Sequence, residues 1–215
     1  MTSGFRYNLL AVALVVASVL TTLAPTSAWA QSPEVASEPG VPVVVYLVRH
    51  AEKADDGTQD PPLTVAGQIR VQTLKAILAD AALTEVHSTD LARTRETARP
   101  IAEDAALGVS LYDPTDLPGF AEQLKNSGGR HLVSGHSNTT PDLVAALGGD
   151  PGTGIDEMEY DRLYILVIPA TGPVVTNLLR FGEPYVAGQD FGMRSTSVPR
   201  TPPWGPDLLQ SPPGL

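Results

Sequence analysis

Between residues 43 and 180, short apolar runs alternate with segments of helical periodicity, and this alternation restricts the fold more than any other feature. Strands that alternate with helices form crossover units, so we expect a three-layer αβα domain with a mostly parallel central sheet. The turn TGPVV precedes the last apolar run and indicates an antiparallel hairpin at one edge of that sheet. The pattern predicts strands over 43–48, 84–87, 109–112, 131–134, 162–168 and 174–180, and helices over 64–80, 91–106, 116–126 and 139–147.

The two ends of the chain have a different character from this central domain, which we place at 42–182. Residues 1–30 carry one arginine, a long apolar stretch and a final Ala-Trp-Ala, the three parts of a cleavable signal peptide. We therefore expect export, to the periplasm or the medium, without stable membrane insertion after cleavage. Residues 31–41 are predicted to be a flexible leader, and 183–215 a tail rich in proline and glycine.

Charge and cysteine content exclude several classes of function. The formal net charge of −10 disfavours binding to nucleic acid or to an anionic membrane through a general field. An anionic ligand would therefore need a local cluster of arginines. The absence of cysteine excludes disulfides, thiolate metal sites and a cysteine nucleophile. The sequence leaves the oligomeric state open.

Ionisable residues follow the ends of several predicted strands. The carboxyl ends of parallel strands meet at one edge of a sheet, where ligands of such folds bind. We therefore expect these side chains to share one pocket. They are Arg49-His50, His87-Ser88-Thr89 with Arg93 in the following helix, Asp113, and Gly135-His136-Ser137-Asn138.

Histidines and arginines in one pocket are suited to phosphoryl transfer. Arginine forks match phosphate oxygens, and a neutral imidazole can act as the nucleophile. We predict no metal ion at this rim, because the zinc spacings H-x-H and H-x-x-x-H are absent and arginines would repel a dication. His131, which lies at the start of its predicted strand and ahead of the apolar residues, is expected to be solvated.

Four segments resemble the histidine phosphatase superfamily, the phosphoglycerate mutase-like enzymes. LVRHAEK (47–53) is similar to the family's R-H-G/A-E signature, and LTVAGQ (63–68) to its L-[ST]-x-x-G motif. STDLARTRETA (88–98) resembles the S-x-L-x-R-[AT]-x-x-T-A motif, and LVSGHSN (132–138) the strand that leads to a second histidine. These segments occur in the family's order, over about residues 43 to 182.

The resemblance implies a role for each matching residue. His50 would be the nucleophile that becomes phosphorylated, and Arg49 and Arg93 would bind the phosphoryl group. His136 would lie beside them and stabilise its charge. Thr89 would lie near the pocket floor. Asn138 would contribute a side-chain contact to the substrate.

The activity implied is hydrolysis of a small phosphorylated substrate through a phosphohistidine, without metal or other cofactor. For the general acid we favour Asp113 at its strand end, then Asp116, which is also a natural helix cap, or no carboxylate at all; Glu122 is expected on a solvent-exposed helix face. Two other functions stay open. One is a phosphate-binding protein that has lost turnover, and the other, less favoured, is a phosphomutase.

Overall fold

The computed structural model describes residues 40–188, which contain six strands and four helices. Each predicted element is present, with bounds within two residues of those expected. The predicted signal peptide, most of the leader and most of the tail lie outside the described residues. The elements are β1 (Val43–Arg49), α1 (Val65–Leu78), β2 (Glu85–Ser88), α2 (Ala92–Asp104), β3 (Val109–Leu111), α3 (Leu117–Ser127), β4 (Arg130–Gly135), α4 (Thr139–Ala146), β5 (Arg162–Ile168) and β6 (Val175–Arg180).

The strands form one sheet in the order β3-β2-β4-β1-β5-β6. β3, β2, β4 and β1 are parallel, whereas β5 and β6 run antiparallel at one side. The mostly parallel sheet and the hairpin at its edge are therefore confirmed. β1 and β4 lie side by side although 80 residues lie between the end of β1 and the start of β4. This pairing brings together the two strands that are directly followed by a histidine.

Helices cover both faces of the sheet, as expected for three layers. α1 and α2 pack on one face around Leu74, Ala98 and Leu132, and α3 and α4 pack on the other around Leu124 and Leu143. Burial on both faces explains why β1 is a near-continuous apolar run, and five of the six residues of β4 are buried as well. None of the helices in the described part of the chain is long and apolar enough to cross a membrane.

Candidate active site

β1 and β4 place His50 and His136 next to each other at the carboxyl edge of the sheet. Arg49 pairs in register with Gly135, and the His50 amide donates to the Gly135 carbonyl at 2.9 Å. The two imidazole rings then lie 5.5 Å apart, centroid to centroid, in an edge-to-face arrangement. A Cβ at position 135 would come within 2.9 Å of the Tyr112 hydroxyl and 3.0 Å of Thr140 Oγ1, so the side chains packed around the end of β4 favour glycine there.

His50 has the protonation state that a nucleophile needs. Its Nδ1 lies 2.8 Å from the Ala51 carbonyl, which can only accept, so Nδ1 carries the proton and Nε2 presents a lone pair. The residue is 3% exposed. Burial, together with the positive charges of Arg49 and Arg93, lowers the pKa of His50 to about 3. His50 is therefore neutral at any pH near neutrality.

His136 is oriented by two buried threonines. Its Nε2 lies 3.0 Å from Thr89 Oγ1, which in turn lies 2.9 Å from Thr94 Oγ1. The Thr94 hydroxyl donates to backbone carbonyls of its own turn, so Thr89 donates to Thr94 and accepts from His136 Nε2–H. Burial, with the charges of Arg93 and Arg49, lowers the pKa of His136 to about 4.

The Arg49 guanidinium is enclosed by the segment that precedes β5. Nη1 donates to the carbonyls of Asp156, Glu157 and Glu159 at 2.7, 2.8 and 3.2 Å. Nη2 donates to the Glu157 carboxylate at 3.0 Å, and Cζ lies 4.2 Å from the centre of the Tyr160 ring. These contacts hold a 2%-exposed cation in place without using all of its donors.

Arg93 approaches the histidine pair from the first turn of α2. Asp60 lies 3.8 Å from Arg93 Nη1 and also accepts from the backbone amide of Ala92 at 2.7 Å. Within residues 40–188, the buried Nε atoms of Arg49 and Arg93 have no hydrogen-bond partner. Two unpartnered cationic donors beside two neutral imidazoles favour an anion and disfavour a metal ion between the rings.

The remaining motif residues fix the loop after His50 rather than the pocket itself. Thr97 Oγ1 accepts from the Ala51 amide at 3.0 Å, which holds the carbonyl that orients His50. Thr64 caps α1 and donates to the Glu52 carbonyl. A Cβ on Gly67 would lie 2.4 Å from that same carbonyl oxygen, so α1 can dock on the loop only with glycine there.

Asp113 is not brought into the pocket. Its strand, β3, is at the edge of the sheet, three strand spacings or about 14 Å from β1. The side chain is exposed and accepts from the amide and hydroxyl of Thr115, which lowers its pKa. Of the alternatives, Asp116 caps α3, and the exposed Glu122 pairs with Lys125.

The carboxylate that does reach the pocket is Glu157, which sequence reasoning missed. Its Oε2 contacts Arg49, and its Oε1 accepts from Ser137 Oγ at 2.8 Å. Ser137 directly follows His136, so it tethers a carboxylate from a distant loop at this position. Asp60, which lies beside Arg93, is likewise absent from the residues that the sequence predicts for the site. No periodicity marks either residue, because both belong to irregular segments.

An open cleft of about 510 Å³ continues from Glu157 along the start of α4. Asn138, the exposed residue at the N-terminus of α4, lies on its wall, and its side chain accepts no capping hydrogen bond from the helix amides. The lining residues include two carboxylates and no arginine or lysine. They are Ser137, Asn138, Pro141, Asp142, Ala145, Pro151, Gly152, Gly154, Ile155 and Glu157.

Solved structures and curated proteins were compared with this chain. The structure of the protein histidine phosphatase SixA complexed with tungstate has a TM-score of 0.50 and 19% identity, covering 64% of this chain and 96% of that one. Mycobacterial hydrolase 1 has a TM-score of 0.50 and 13% identity, covering 66% and 99%. At these identities the likeness shows a shared fold.

Among curated proteins, the probable phosphoglycerate mutase GpmB of Escherichia fergusonii is 37% identical over 76 residues, 33% of this chain and 35% of that protein. GpmB of Serratia proteamaculans (strain 568) is 38% identical over 76 residues, with the same coverage. The chain thus aligns with about a third of the length of these relatives. The family resemblance is confirmed by the model of the histidine phosphatase superfamily (branch 1), which this chain matches over residues 45–123.

Proposed function

We propose that this protein is a metal-independent phosphatase that works through a phosphohistidine on His50. One observation carries the proposal. A neutral, oriented His50 Nε2 shares a pocket with His136 and with Arg49 and Arg93, whose buried Nε donors have no hydrogen-bond partner among residues 40–188. A phosphoryl group accepts hydrogen bonds from such donors. Its transfer depends chiefly on positioning and on neutralising the charge of its oxygens.

The first step forms a bond between His50 Nε2 and phosphorus and breaks the bond between phosphorus and the leaving atom. The Ala51 carbonyl stabilises the charge that appears on the ring through the Nδ1–H hydrogen bond. Arg49 and Arg93 neutralise the phosphoryl oxygens. Water then attacks phosphorus, the bond to Nε2 breaks, its electron pair returns to the ring, and inorganic phosphate leaves.

The leaving atom needs a proton, and we propose Glu157 as its donor in place of Asp113. The Glu157 carboxylate contacts Arg49 and is tethered by Ser137, so it lies at the boundary between the phosphate pocket and the cleft. Its side chain is 78% exposed, which allows it to exchange protons with solvent. This exposed carboxylate is a weaker acid catalyst than a buried one.

Weak acid catalysis favours substrates whose leaving group departs easily, such as a phosphohistidine or an acyl phosphate. The cleft adds a charge preference, because Asp142 and Glu157 line it and no cation does. A leaving group that carries a further carboxylate or phosphate, in addition to the atom bonded to phosphorus, would be repelled there. This argues against the sugar-acid substrates of a phosphomutase, although the curated relatives are described as probable mutases.

The proposal is tested with an aryl phosphate and purified full-length protein. His50→Ala should abolish turnover, and Arg93→Gln should weaken phosphate binding. Arg95→Gln is the matched control on the same helix, because Arg95 pairs with Asp90 at the surface. Hydrolysis by the His50→Ala protein would refute the proposal.

A second function, phosphate binding without turnover, is supported by the position of Asp113, which leaves no buried carboxylate against His50 among the residues described. Rapid mixing with an aryl phosphate separates the two functions. An enzyme gives a burst of one phenol per chain followed by turnover, whereas a binding protein gives neither.

We also propose that the protein is exported, on the basis of the sequence pattern of residues 1–30. Expression in a bacterium, followed by fractionation and N-terminal sequencing, tests this. The mature protein should begin at Gln31 and be recovered outside the cytoplasm.

A further inference from the structure

A second cluster of histidines lies away from the proposed active site, beneath the end of α3. Glu85 and His87 alternate along β2 and therefore share one face of the sheet. His131 lies on β4, paired in register with Glu85, so its side chain is on the same face. His131 and His136 are five positions apart along the chain, a distance of about 16 Å in extended conformation.

The structure corrects the expectation that His131 is solvated. His131 is the second residue of β4 and is 0% exposed, and His87 is 2% exposed. Glu85 is the solvent-facing member of the group, with 42% of its side chain exposed. Two imidazoles and a carboxylate thus converge at a point that is buried on the protein side and reachable from solvent.

We propose that Glu85, His87 and His131 form a binding site for a divalent transition-metal ion, with Zn²⁺ the best fit. The donor atoms are His87 Nε2, His131 Nδ1 and Glu85 Oε2. Their separations are 3.3 Å between the nitrogens, and 3.4 and 3.9 Å from the carboxylate oxygen to His87 and His131. A point equidistant from the three atoms lies about 2.1 Å from each, the usual Zn–N and Zn–O bond length.

The surroundings favour this use of His131. Its Nε2 donates to the Gly128 carbonyl at 2.5 Å, which leaves Nδ1 as the lone-pair atom that faces His87 and Glu85. Metal-binding histidines are oriented in this way, through a hydrogen bond from the second ring nitrogen to a carbonyl. The Gly128 carbonyl is also at the C-terminal end of α3, whose partial negative charge favours a cation.

The charge environment differs from that of the His50–His136 pair. There, two arginines face the rings and repel a cation. Here, the neighbouring Arg130 precedes His131 in β4, so its side chain leaves the opposite face of the strand, and its guanidinium donates to the Ala81 carbonyl. Histidine would therefore take part in anion chemistry at one end of the sheet and in cation binding at the other.

The competing explanation is a direct hydrogen bond from His87 Nε2–H to His131 Nδ1. The 3.3 Å separation is longer than the usual 2.9–3.0 Å for such a bond. Binding of the ion would move the His87 proton from Nε2 to Nδ1, and water would complete a four-coordinate shell beside the exposed Glu85. Two histidines, one glutamate and water are an established donor set for zinc.

The test is titration of Zn²⁺ alone into chelator-treated full-length protein, in competition with a chromogenic chelator. We expect one equivalent of Zn²⁺ per chain and a rise in the unfolding temperature, since binding to the folded state stabilises it. Co²⁺ substitution should give the visible absorption bands of a four-coordinate site. Because catalysis plays no part in these measurements, they are independent of the proposed phosphatase activity.

Substitution of the proposed ligands tests whether the ion binds at this cluster. Glu85→Gln and His131→Gln should each weaken Zn²⁺ binding by more than about tenfold, since loss of a ligand costs at least as much as loss of an outer partner. His50→Ala, which removes a histidine of the other pair, is the control and should bind normally. If His131→Gln does not fold, the solvent-facing Glu85→Gln still decides. Failure to bind Zn²⁺, or binding that His50→Ala abolishes and Glu85→Gln leaves intact, would overturn the proposal.

Discussion

Acidification should destabilise this protein through His50, and the size of the effect follows from its burial. The pKa of His50 falls from 6.5 to about 3 on folding, because the ring is buried beside Arg49, Arg93 and His136. Between these two values the unfolded chain binds a proton that the folded chain does not. The stability associated with a neutral His50 is thus fully present above 6.5 and is lost as the pH falls towards 3.

The magnitude can be worked out from the same two pKa values. One pKa unit corresponds to 1.36 kcal/mol, so His50 alone removes about 2 kcal/mol of unfolding free energy between about pH 7 and about pH 5. His136, whose pKa is about 4, acts in the same direction but is more exposed to solvent. The loss is a large fraction of the 5–15 kcal/mol typical of a folded domain.

The assay is urea unfolding followed by circular dichroism at the two pH values, on the wild type and on His50→Gln. Glutamine cannot take up a proton, so the variant should lose about 2 kcal/mol less than the wild type over this interval. Each protein is compared with itself at the two pH values, so any effect of the substitution on stability that does not depend on pH cancels. An identical loss in both proteins would show that His50 is not held neutral by its surroundings.

Three further substitutions test other parts of the site. Thr89→Val should lower kcat/KM by about tenfold, since it leaves the His136 Nε2–H without an acceptor, while Thr89→Ser should retain activity. Gly67→Ala should lower the free energy of unfolding by about 1–3 kcal/mol, because its Cβ meets a backbone carbonyl; Gly108→Ala, with open space around it, should not. Glu157→Gln should tighten inhibition by inorganic phosphate by up to about fivefold, as it removes an exposed competitor for Arg49, and the exposed Glu122→Gln should leave inhibition unchanged.

The elements and the central pair of histidines could be predicted from the sequence because both follow from local patterns. Apolar runs mark buried strands, and residues that follow parallel strands meet at one edge. Asp113 shows where this argument ends. It does lie just beyond a strand, but β3 is the outermost strand of the sheet, and strand order depends on tertiary packing that periodicity does not report.

Loop residues were unpredictable for a different reason. Glu157 and Asp60 reach the two arginines from irregular segments. The backbone path of such a segment is set by tertiary contacts, such as the hydrogen bonds of Arg49 to the carbonyls at 156, 157 and 159. The solvation predicted for His131 was wrong because β4 starts at Arg130, two residues before its first apolar residue, Leu132. The hydrophobic pattern locates the centre of a strand better than its first residue.

Glu157 and Asp60, the two loop carboxylates beside the arginines, explain how a chain with a net charge of −10 can keep a pocket for anions. A buried arginine without a counterion is costly, so Arg49 needs negative partners even when no substrate is bound. Three carbonyls and the Tyr160 ring hold its position, whereas the Glu157 carboxylate, 78% exposed, forms a pair of the kind worth little in water. A phosphoryl group can therefore displace Glu157 at small cost while the guanidinium stays fixed. Displacement would also free the Glu157 side chain, which in its protonated form is the proposed acid, beside the leaving atom.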